Sequence, residues 1–253
     1  MRSSVFHVHI HETRAEMGAA AAADIAAAIS DVLSRKERCR MIFAAAPSQN
    51  EVLAALVSDK SIDFSRIDAF HMDEYVGLSP DAPQRFGNFL RNALFEKAPF
   101  GSVSYIGCAA QDLQAECARY AALLAKAPID IVVMGIGENG HIAFNDPHEA
   151  DFDDPQAVKA VSLDEMCRMQ QVHDGCFASL DLVPTHALTL TVPRLMQADR
   201  HFCIVPAPSK ANAVAATVLG PVGAHCPATS LRLCAHAALY LDADSASLLP
   251  MGV

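Results

Sequence analysis

Short β-rich runs alternate with longer helix-like stretches along the chain, and this alternation constrains the fold more than any other feature. The run at residues 129–134 is the strongest strand signal, because it is short and rich in β-branched residues. Strands that alternate with helices form βαβ units, in which helices cover both faces of a mainly parallel sheet. The sequence therefore predicts an α/β fold with a single doubly wound, Rossmann-like sheet.

The same reading assigns the individual elements. Predicted strands cover residues 5–10, 40–45, 67–71, 102–106, 129–134, 187–191, 201–205 and 238–241, and predicted helices cover residues 12–33, 48–57, 83–94, 112–124 and 210–218. Residues 72–75 predict a charged turn. No internal repeat or linker divides the chain, which favours a single domain over residues 1–253. The polar stretch at residues 148–180 predicts a mobile lid.

Charge and composition limit the partners that the chain can have. Apolar residues make up 52% of it and charged residues 19%, which fits a well-buried core, and the formal net charge is -10. A nucleic-acid surface needs a basic face, and the sequence has no block of Lys and Arg. A phosphorylated small molecule remains compatible, because a few local cations and backbone amides can hold it.

Cysteine usage and the apolar stretches predict a cytoplasmic protein without a membrane segment. None of the eight cysteines forms a Cys-x-x-Cys pair, so we expect free thiols and no disulfide scaffold. Residues 1–11 lack the basic start and the long apolar stretch of a signal peptide. The alanine-rich stretch at residues 18–28 is interrupted by Asp24 and is too short to span a bilayer.

Two adjacent carboxylates follow the predicted strand at residues 67–71, in the run Met72-Asp-Glu-Tyr75. In α/β sheets, ligands bind beyond the carboxyl ends of the strands. A carboxylate at this position can point into the ligand crevice and act as a general base. It can equally cap the next turn or remain solvated, and the spacing alone leaves both interpretations open.

A glycine-rich loop follows the strongest strand, in the run Gly135-Ile-Gly-Glu-Asn-Gly-His141. The glycines permit a tight turn and close approach of the backbone to a ligand. His141 stands next to Asn139 in this loop and five residues before Asp146, and an imidazole oriented by a carboxylate is a suitable acid/base group near neutral pH. The pattern is not the dinucleotide fingerprint, because a histidine follows the third glycine.

Three further residues are candidate phosphate ligands. Ser48 lies where a strand joins a helix, with free amides nearby, although it can also be a simple helix cap. Lys210 starts a later helix and Arg168 lies in the predicted lid; each can also be an ordinary surface charge. The run His7-Val-His-Ile-His11 places three histidines on one face of a strand, yet no acidic or cysteine ligand lies close in sequence. We therefore predict no metal site and no cofactor.

Two segments resemble the glucosamine-6-phosphate deaminase (isomerase) family, which shares its fold with the 6-phosphogluconolactonases. They are Met72-Asp-Glu-Tyr-Val-Gly-Leu78 and Gly135-Ile-Gly-Glu-Asn-Gly-His-Ile-Ala-Phe-Asn-Asp-Pro147, with weaker echoes at residues 183–191 and 209–211. The resemblance implies a hexosamine 6-phosphate substrate and aldose–ketose isomerisation with release of ammonia, without a metal. The sequence leaves the oligomeric state open, a homo-oligomer included.

The resemblance also implies roles for single residues. Asp73 corresponds to the base that moves a proton between C2 and C1, and His141 to the group that opens the sugar ring. Asp146 takes the position of a supporting glutamate, and Asn139 stands where many members have aspartate. A set of phosphate ligands is implied as well: Ser48, Arg168 and Lys210.

The family resemblance leaves three alternatives to a glucosamine-6-phosphate deaminase. One is the same reaction on galactosamine 6-phosphate. Another is a lactonase, which would need His141 to activate water but would not need Asp73 as a base at C2. The last is a non-catalytic sugar-phosphate sensor, a class usually fused to a DNA-binding domain, for which the sequence offers no segment before its first predicted strand.

Overall fold

A computed structural model describes residues 5–107, 112–250 and 252, so Cys108 lies outside the described residues. The strands are β1 (Val5–His11), β2 (Cys39–Phe43), β3 (Ile67–His71), β4 (Asp73–Tyr75), β5 (Ser102–Ser104), β6 (Ile131–Met134), β7 (Val158–Ser162), β8 (His186–Leu190), β9 (Arg200–Val205) and β10 (His236–Asp242). The helices are α1 (Arg14–Arg35), α2 (Asn50–Ser58), α3 (Phe86–Leu90), α4 (Leu113–Leu124), α5 (Glu165–His173), α6 (Val192–Met196) and α7 (Ala211–Leu219).

The main sheet is parallel and has the strand order β1-β10-β9-β6-β2-β3-β5. Strand β6 lies at its centre, and its successive side chains enter opposite cores. Ile131 and Val133 belong to one hydrophobic cluster, together with residues of α1 and α2, whereas Val132 and Met134 belong to the other, together with residues of α4 and α7. Both faces of the sheet are therefore covered, and the predicted α/β fold is confirmed.

Helix α1 lies on one face of this sheet. Thr13 caps it by accepting from the Glu16 amide, while the Glu16 carboxylate accepts from the Thr13 amide. The helix has 22 residues, so by length and apolar composition it could cross a membrane, unlike the shorter alanine-rich stretch within it. Met17 and Ile25 on one of its faces are fully buried against the sheet, which is typical of a core helix.

A second, smaller sheet was not predicted. It has the order β4-β8-β7 and is antiparallel. The predicted charged turn at residues 72–75 is wrong, because Asp73 to Tyr75 form β4, which pairs with β8. The predicted strand at residues 187–191 exists as β8 but lies in this smaller sheet. Only Met72 separates β3 from β4, so the chain passes directly from the main sheet into the small one.

The segment at residues 148–180, predicted as a lid, contains β7 and α5. Strand β7 forms the outer edge of the small sheet through its pairing with β8. Helix α5 begins after Asp164, whose carboxylate caps it by accepting from the Cys167 amide at 2.6 Å. Lid movement of this segment stays a prediction.

Candidate active site

A cleft lies at the carboxyl ends of β2, β3, β6 and β9, where an α/β sheet binds its ligands. Its free volume is about 550 Å³, including the solvent in its mouth. The predicted site residues that line it are Ser48, Asp73, His141 and Lys210. Asp146 and Asn139 lie directly behind His141. The structure thus gathers into one place residues that are up to 162 positions apart in the sequence, from Ser48 to Lys210.

Asp73 lies where the chain leaves β3 and enters the small sheet. Its side chain is buried, and its carboxylate accepts no hydrogen bond from any described residue. Burial raises the pKa of Asp73 well above its ordinary value, and the neighbouring Glu74 carboxylate raises it further. The backbone around it is held by His71, whose Nδ1 donates to the Asp73 carbonyl at 2.9 Å while Nε2 accepts from the Ile106 amide.

Glu74 has a different task from the adjacent Asp73. Its carboxylate accepts from the backbone amides of Phe86 and Gly87, each at 3.0 Å, at the start of α3. Burial raises the pKa of Glu74, although these hydrogen bonds oppose that rise. From the sequence, either carboxylate could have been the cap. In the structure, Glu74 caps α3 and Asp73 faces the cleft.

His141 is held in one orientation by the glycine loop. Its ring packs against Gly137, where a Cβ atom would lie 2.1 Å from the ring, so this position requires glycine. Nδ1 lies 2.7 Å from the side-chain oxygen of Asn139 and 3.1 Å from Oδ1 of Asp146. Two acceptors at Nδ1 fix the hydrogen there, which leaves Nε2 as the acceptor without a hydrogen-bond partner among the described residues.

Asp146 is fully buried but well supplied with donors. Besides His141, the Asn139 amide donates to Oδ1 at 2.9 Å, and the Asp164 backbone amide donates to Oδ2 at 3.2 Å. Burial by itself would raise the pKa of Asp146, but the hydrogen bonds from His141 and Asn139 and the attraction to His141 outweigh it and lower the pKa. Asp146 is thus held as an anion behind the imidazole.

Lys210 is the buried cation of the cleft. Only 4% of the residue is exposed, and Nζ has no hydrogen-bond partner among the described residues. Burial lowers the pKa of Lys210, while the carboxylates of Asp174 and Glu138 oppose that change. An ammonium group without a partner at the wall of a cleft is the kind of group that an anionic ligand would satisfy.

The backbone before Lys210 is strained in a way that fits a functional site. Ala207 has a φ of 85°, a conformation that residues other than glycine rarely adopt. The Asp242 carboxylate at the end of β10 holds it there by accepting from the Ala207 amide at 3.0 and 3.2 Å.

Ser48 lies at the start of the helical segment after β2, and its hydroxyl accepts from Nε2 of Gln49 at 3.1 Å.

The structure does not bring Arg168 into the cleft. Its guanidinium donates to the backbone carbonyls of Leu180 and Val183 and lines a separate depression on the outside of α5. Helix α5 turns other side chains to the cleft, which the sequence analysis did not predict: Gln170, Gln171 and Asp174. Helical periodicity could have indicated that these residues lie on one face of a helix. It could not have indicated that this face of α5 packs beside the glycine loop.

Two groups of side chains among the described residues have spacing suited to a metal ion. One is His141, Asp146 and Cys167; the other is Asp146, His148 and Asp164, and within each group the ligand atoms lie within 4.8 Å of one another. The histidines of β1 are not in either group, and His9 instead stacks on Tyr240 at 4.9 Å between ring centres.

Comparison with known proteins places the chain in a family. Residues 12–240 match the family described as glucosamine-6-phosphate isomerases/6-phosphogluconolactonase, and the chain belongs to this family. Among its relatives, the glucosamine-6-phosphate deaminase of Listeria innocua serovar 6a is 35% identical over 80% of this chain and 84% of that protein. The glucosamine-6-phosphate deaminase of Lactobacillus delbrueckii subsp. bulgaricus is 37% identical over 74% of this chain and 78% of that protein.

Solved structures show the same fold. A monomeric glucosamine-6-phosphate deaminase superimposes with a TM-score of 0.87 and 28% identity, over 96% of this chain and 99% of the other. The 6-phosphogluconolactonase of Trypanosoma brucei superimposes with a TM-score of 0.79 and 19% identity, over 98% of this chain and all of the other. At 19% identity, the similarity to the lactonase shows a shared fold and nothing about function.

Proposed function

We propose that this protein converts glucosamine 6-phosphate and water into fructose 6-phosphate and ammonia by acid/base catalysis. The relatives named above support the reaction class. The observation that carries the proposal is the buried Asp73 carboxylate, which has no partner among the described residues, in the same cleft as His141. Such a carboxylate lacks a structural task and is suited to remove a proton from a substrate carbon.

The charges of the cleft suggest how the sugar would lie. The phosphate would sit against Lys210 and the Ser48 hydroxyl, close to the positive ends of α2 and α7. In that arrangement C1 and C2 would lie toward Asp73 and His141. Phosphate binding remote from the reacting carbons then holds the sugar in register for the chemical steps.

Ring opening would begin the reaction. His141 accepts the proton of the C1 hydroxyl at Nε2 and passes it to the ring oxygen, which breaks the C1–O5 bond and leaves an aldehyde at C1. The imidazolium formed on the way is stabilised by the Asp146 anion at 3.1 Å from Nδ1. Asn139 fixes the ring by accepting from both the backbone amide and Nδ1 of His141.

Isomerisation and deamination would follow at C2. Asp73 removes the C2 proton while O1 takes a proton from the ammonium group of the substrate, which gives an enolamine. Asp73 then returns its proton to C1, which leaves a protonated imine at C2. Water adds to this carbon, the nitrogen leaves as ammonia together with the extra proton, and the C2 ketone of fructose 6-phosphate remains. Because burial raises the pKa of Asp73, its ionised form is a stronger base, and the ammonium group of the substrate favours that ionised form.

The same site could serve two other reactions. Galactosamine 6-phosphate differs only in the configuration at C4, so it would meet the same acid/base groups. A lactonase would use His141 on water and would leave Asp73 without a task. We also propose that the protein acts in the cytoplasm. Sugar phosphates are metabolised there, and the reducing conditions keep free thiols such as Cys39 and Cys203 reduced.

Ammonia release from the purified protein tests the proposal. Glucosamine 6-phosphate and galactosamine 6-phosphate are assayed in parallel, with 6-phosphogluconolactone as the competing substrate. We expect ammonia from glucosamine 6-phosphate and a loss of at least ~10³-fold in kcat for Asp73→Asn. Release from galactosamine 6-phosphate alone would reassign the sugar. Lactone hydrolysis that survives Asp73→Asn, without ammonia from either sugar, would replace the proposal.

A further inference from the structure

Cys167 is a buried thiol next to the proposed ring-opening groups, and no step of the proposed reaction uses it. It lies in α5 and is 1% exposed. Its Sγ, a carboxylate oxygen of Asp146 and a ring nitrogen of His141 lie within 4.8 Å of one another. We propose that these three side chains form a binding site for zinc, and that zinc bound there inhibits the enzyme.

The donor set selects zinc. Zinc binds cysteine sulfur, histidine nitrogen and carboxylate oxygen with tetrahedral geometry, whereas Mg²⁺ and Ca²⁺ take oxygen ligands. A thiolate and a carboxylate together balance the two positive charges of the ion. A zinc ion on Cys167, Asp146 and a neutral His141 therefore leaves the buried site with no net charge. The other group with metal-like spacing offers two carboxylates and His148 but no sulfur.

Two of the three ligand atoms already lie close to the separation that zinc requires. Nδ1 of His141 and Oδ1 of Asp146 are already 3.1 Å apart. Two ligands at about 2.0–2.2 Å from a tetrahedral zinc lie roughly 3.3–3.6 Å from each other. Asp146 and Cys167 close the inner side of the group, and His141 lines the cleft on the outer side. Three protein ligands leave the fourth position of a tetrahedral zinc for water or an anion.

Zinc would take the place of hydrogens that now hold the group together. The Cys167 thiol lies within 4.8 Å of the Asp146 carboxylate, and its hydrogen leaves when the sulfur binds the ion. The hydrogen on Nδ1 of His141 moves to Nε2, so the ring stays neutral and one proton is released for each zinc bound. Nε2 is then a donor and cannot accept the proton of a sugar hydroxyl. This inhibitory consequence rests on the proposed function, whereas the binding does not.

Cobalt(II) is the probe, because thiolate ligation gives it a charge-transfer band in the near ultraviolet. We expect the wild-type protein to bind one cobalt per chain with this band, and zinc to displace it. Cys167→Ser should lose the band and bind zinc at least ~10-fold more weakly, and His141→Gln should also bind it more weakly. Cys176→Ser is the matched control, since Cys176 is a half-buried free thiol just after α5 and outside the group.

A missing band in the wild-type protein, or a band that persists in Cys167→Ser, would overturn the metal site. The ammonia assay supplies the second readout, with each variant compared with its own activity in the absence of zinc. Zinc should inhibit the wild type and Cys176→Ser at the same concentration, and Cys167→Ser only at a concentration at least ~10-fold higher. Failure to release ammonia from any sugar would refute the proposed function, while the cobalt band would still decide the metal site.

Discussion

Two buried aspartates serve the same cleft under opposite conditions. Asp73 has no hydrogen-bond donor among the described residues, and burial raises its pKa. Asp146 is buried more completely, yet donors from His141, Asn139 and the Asp164 backbone surround it and lower its pKa. The difference lies in where each stands: Asp73 starts an edge of the small sheet facing the cleft, whereas Asp146 ends a loop packed against α5.

Burial alone does not define the role of a carboxylate. A site that needs both a base and a permanent anion obtains them by supplying donors to one carboxylate and withholding them from the other. In the proposed reaction Asp73 exchanges a proton with a substrate carbon, while Asp146 remains charged behind His141. The contrast also predicts that the two side chains contribute to stability with opposite signs.

The largest expected effect is on the stability of Asp146→Asn and Asp73→Asn. The pKa of Asp146 is lowered by folding, so its anion stabilises the native state above its unfolded pKa, and this stability is lost as pH falls through the folded pKa. At pH 7.5, Asp146→Asn should lower the free energy of unfolding by about 3 kcal/mol. The pKa of Asp73 is raised, so ionisation penalises the native state above pH ~4. Asp73→Asn should therefore raise the free energy of unfolding by about 1–2 kcal/mol.

Urea unfolding between pH 4 and pH 8 measures both differences. The stabilisation by Asp73→Asn should shrink as pH falls toward ~4, because Asp73 is then protonated in the folded wild-type protein and becomes protonated in the unfolded state as well. The loss in Asp146→Asn should shrink only below that pH. A change of the same sign in the two variants at pH 7.5 would contradict the opposite effects of the two carboxylates on stability.

Lys210, like Asp73, is a buried ionisable group without a hydrogen-bond partner for its side chain among the described residues. Lys210→Met should raise KM for the sugar phosphate about 10- to 100-fold, because it removes a charge-assisted contact with the phosphate, and should leave kcat within about 3-fold. Stability should not fall, since a buried ammonium without a partner is removed. Steady-state kinetics and thermal unfolding give the two readouts.

Arg168→Met is the matched control for Lys210→Met. Its guanidinium lies outside the cleft and donates to the carbonyls of Leu180 and Val183. We expect it to lower thermal stability and to leave KM unchanged. An increase in KM for Arg168→Met as large as that for Lys210→Met would return Arg168 to the phosphate site.

The smallest expected effect concerns Asn139, a position at which the family resemblance implies aspartate in many members. Its amide donates to Asp146 and to Asp164, each at 2.9 Å. Asn139→Asp would place a third carboxylate between these two and should lower the free energy of unfolding by about 1–2 kcal/mol at pH 7.5. Asp164→Asn added to it should restore most of the loss, which a double-mutant cycle measures. Additive effects of the two changes would show that the contact with Asp164 is not the reason why asparagine is favoured at position 139.

The parts of the fold predicted from the sequence are those with a strong local signal. Strand β3 begins and ends at the predicted residues, and β6 lies within the predicted run, because buried parallel strands are short and rich in β-branched and other apolar residues. The small sheet was missed because β4 has three residues, two of them acidic, and becomes a strand only through its register with β8. Such pairing depends on distant residues and leaves no local pattern.

The candidate site divides in the same way. The glycine loop and Asp73 follow strands directly, so their position at the carboxyl edge of the sheet could be predicted. Arg168 could not be excluded, since only the orientation of α5 turns it toward the Leu180 carbonyl and brings Asp174 to the cleft. The second hydrogen bond of Asn139, to Asp164, likewise depends on the packing of α5 against the glycine loop.

Strand β1 pairs in parallel with β10 along its whole length, although 224 residues separate the end of the first from the start of the second. A ribosome adds about 5–20 residues per second, so β1 emerges roughly 10–50 s before β10, the strand with which it pairs in the main sheet. During that time its apolar side chains and unpaired backbone are open to chaperones and to other nascent chains. The main sheet can be completed only after β10 has left the exit tunnel, so the edge that β1 and β10 form is the last part of the sheet to assemble.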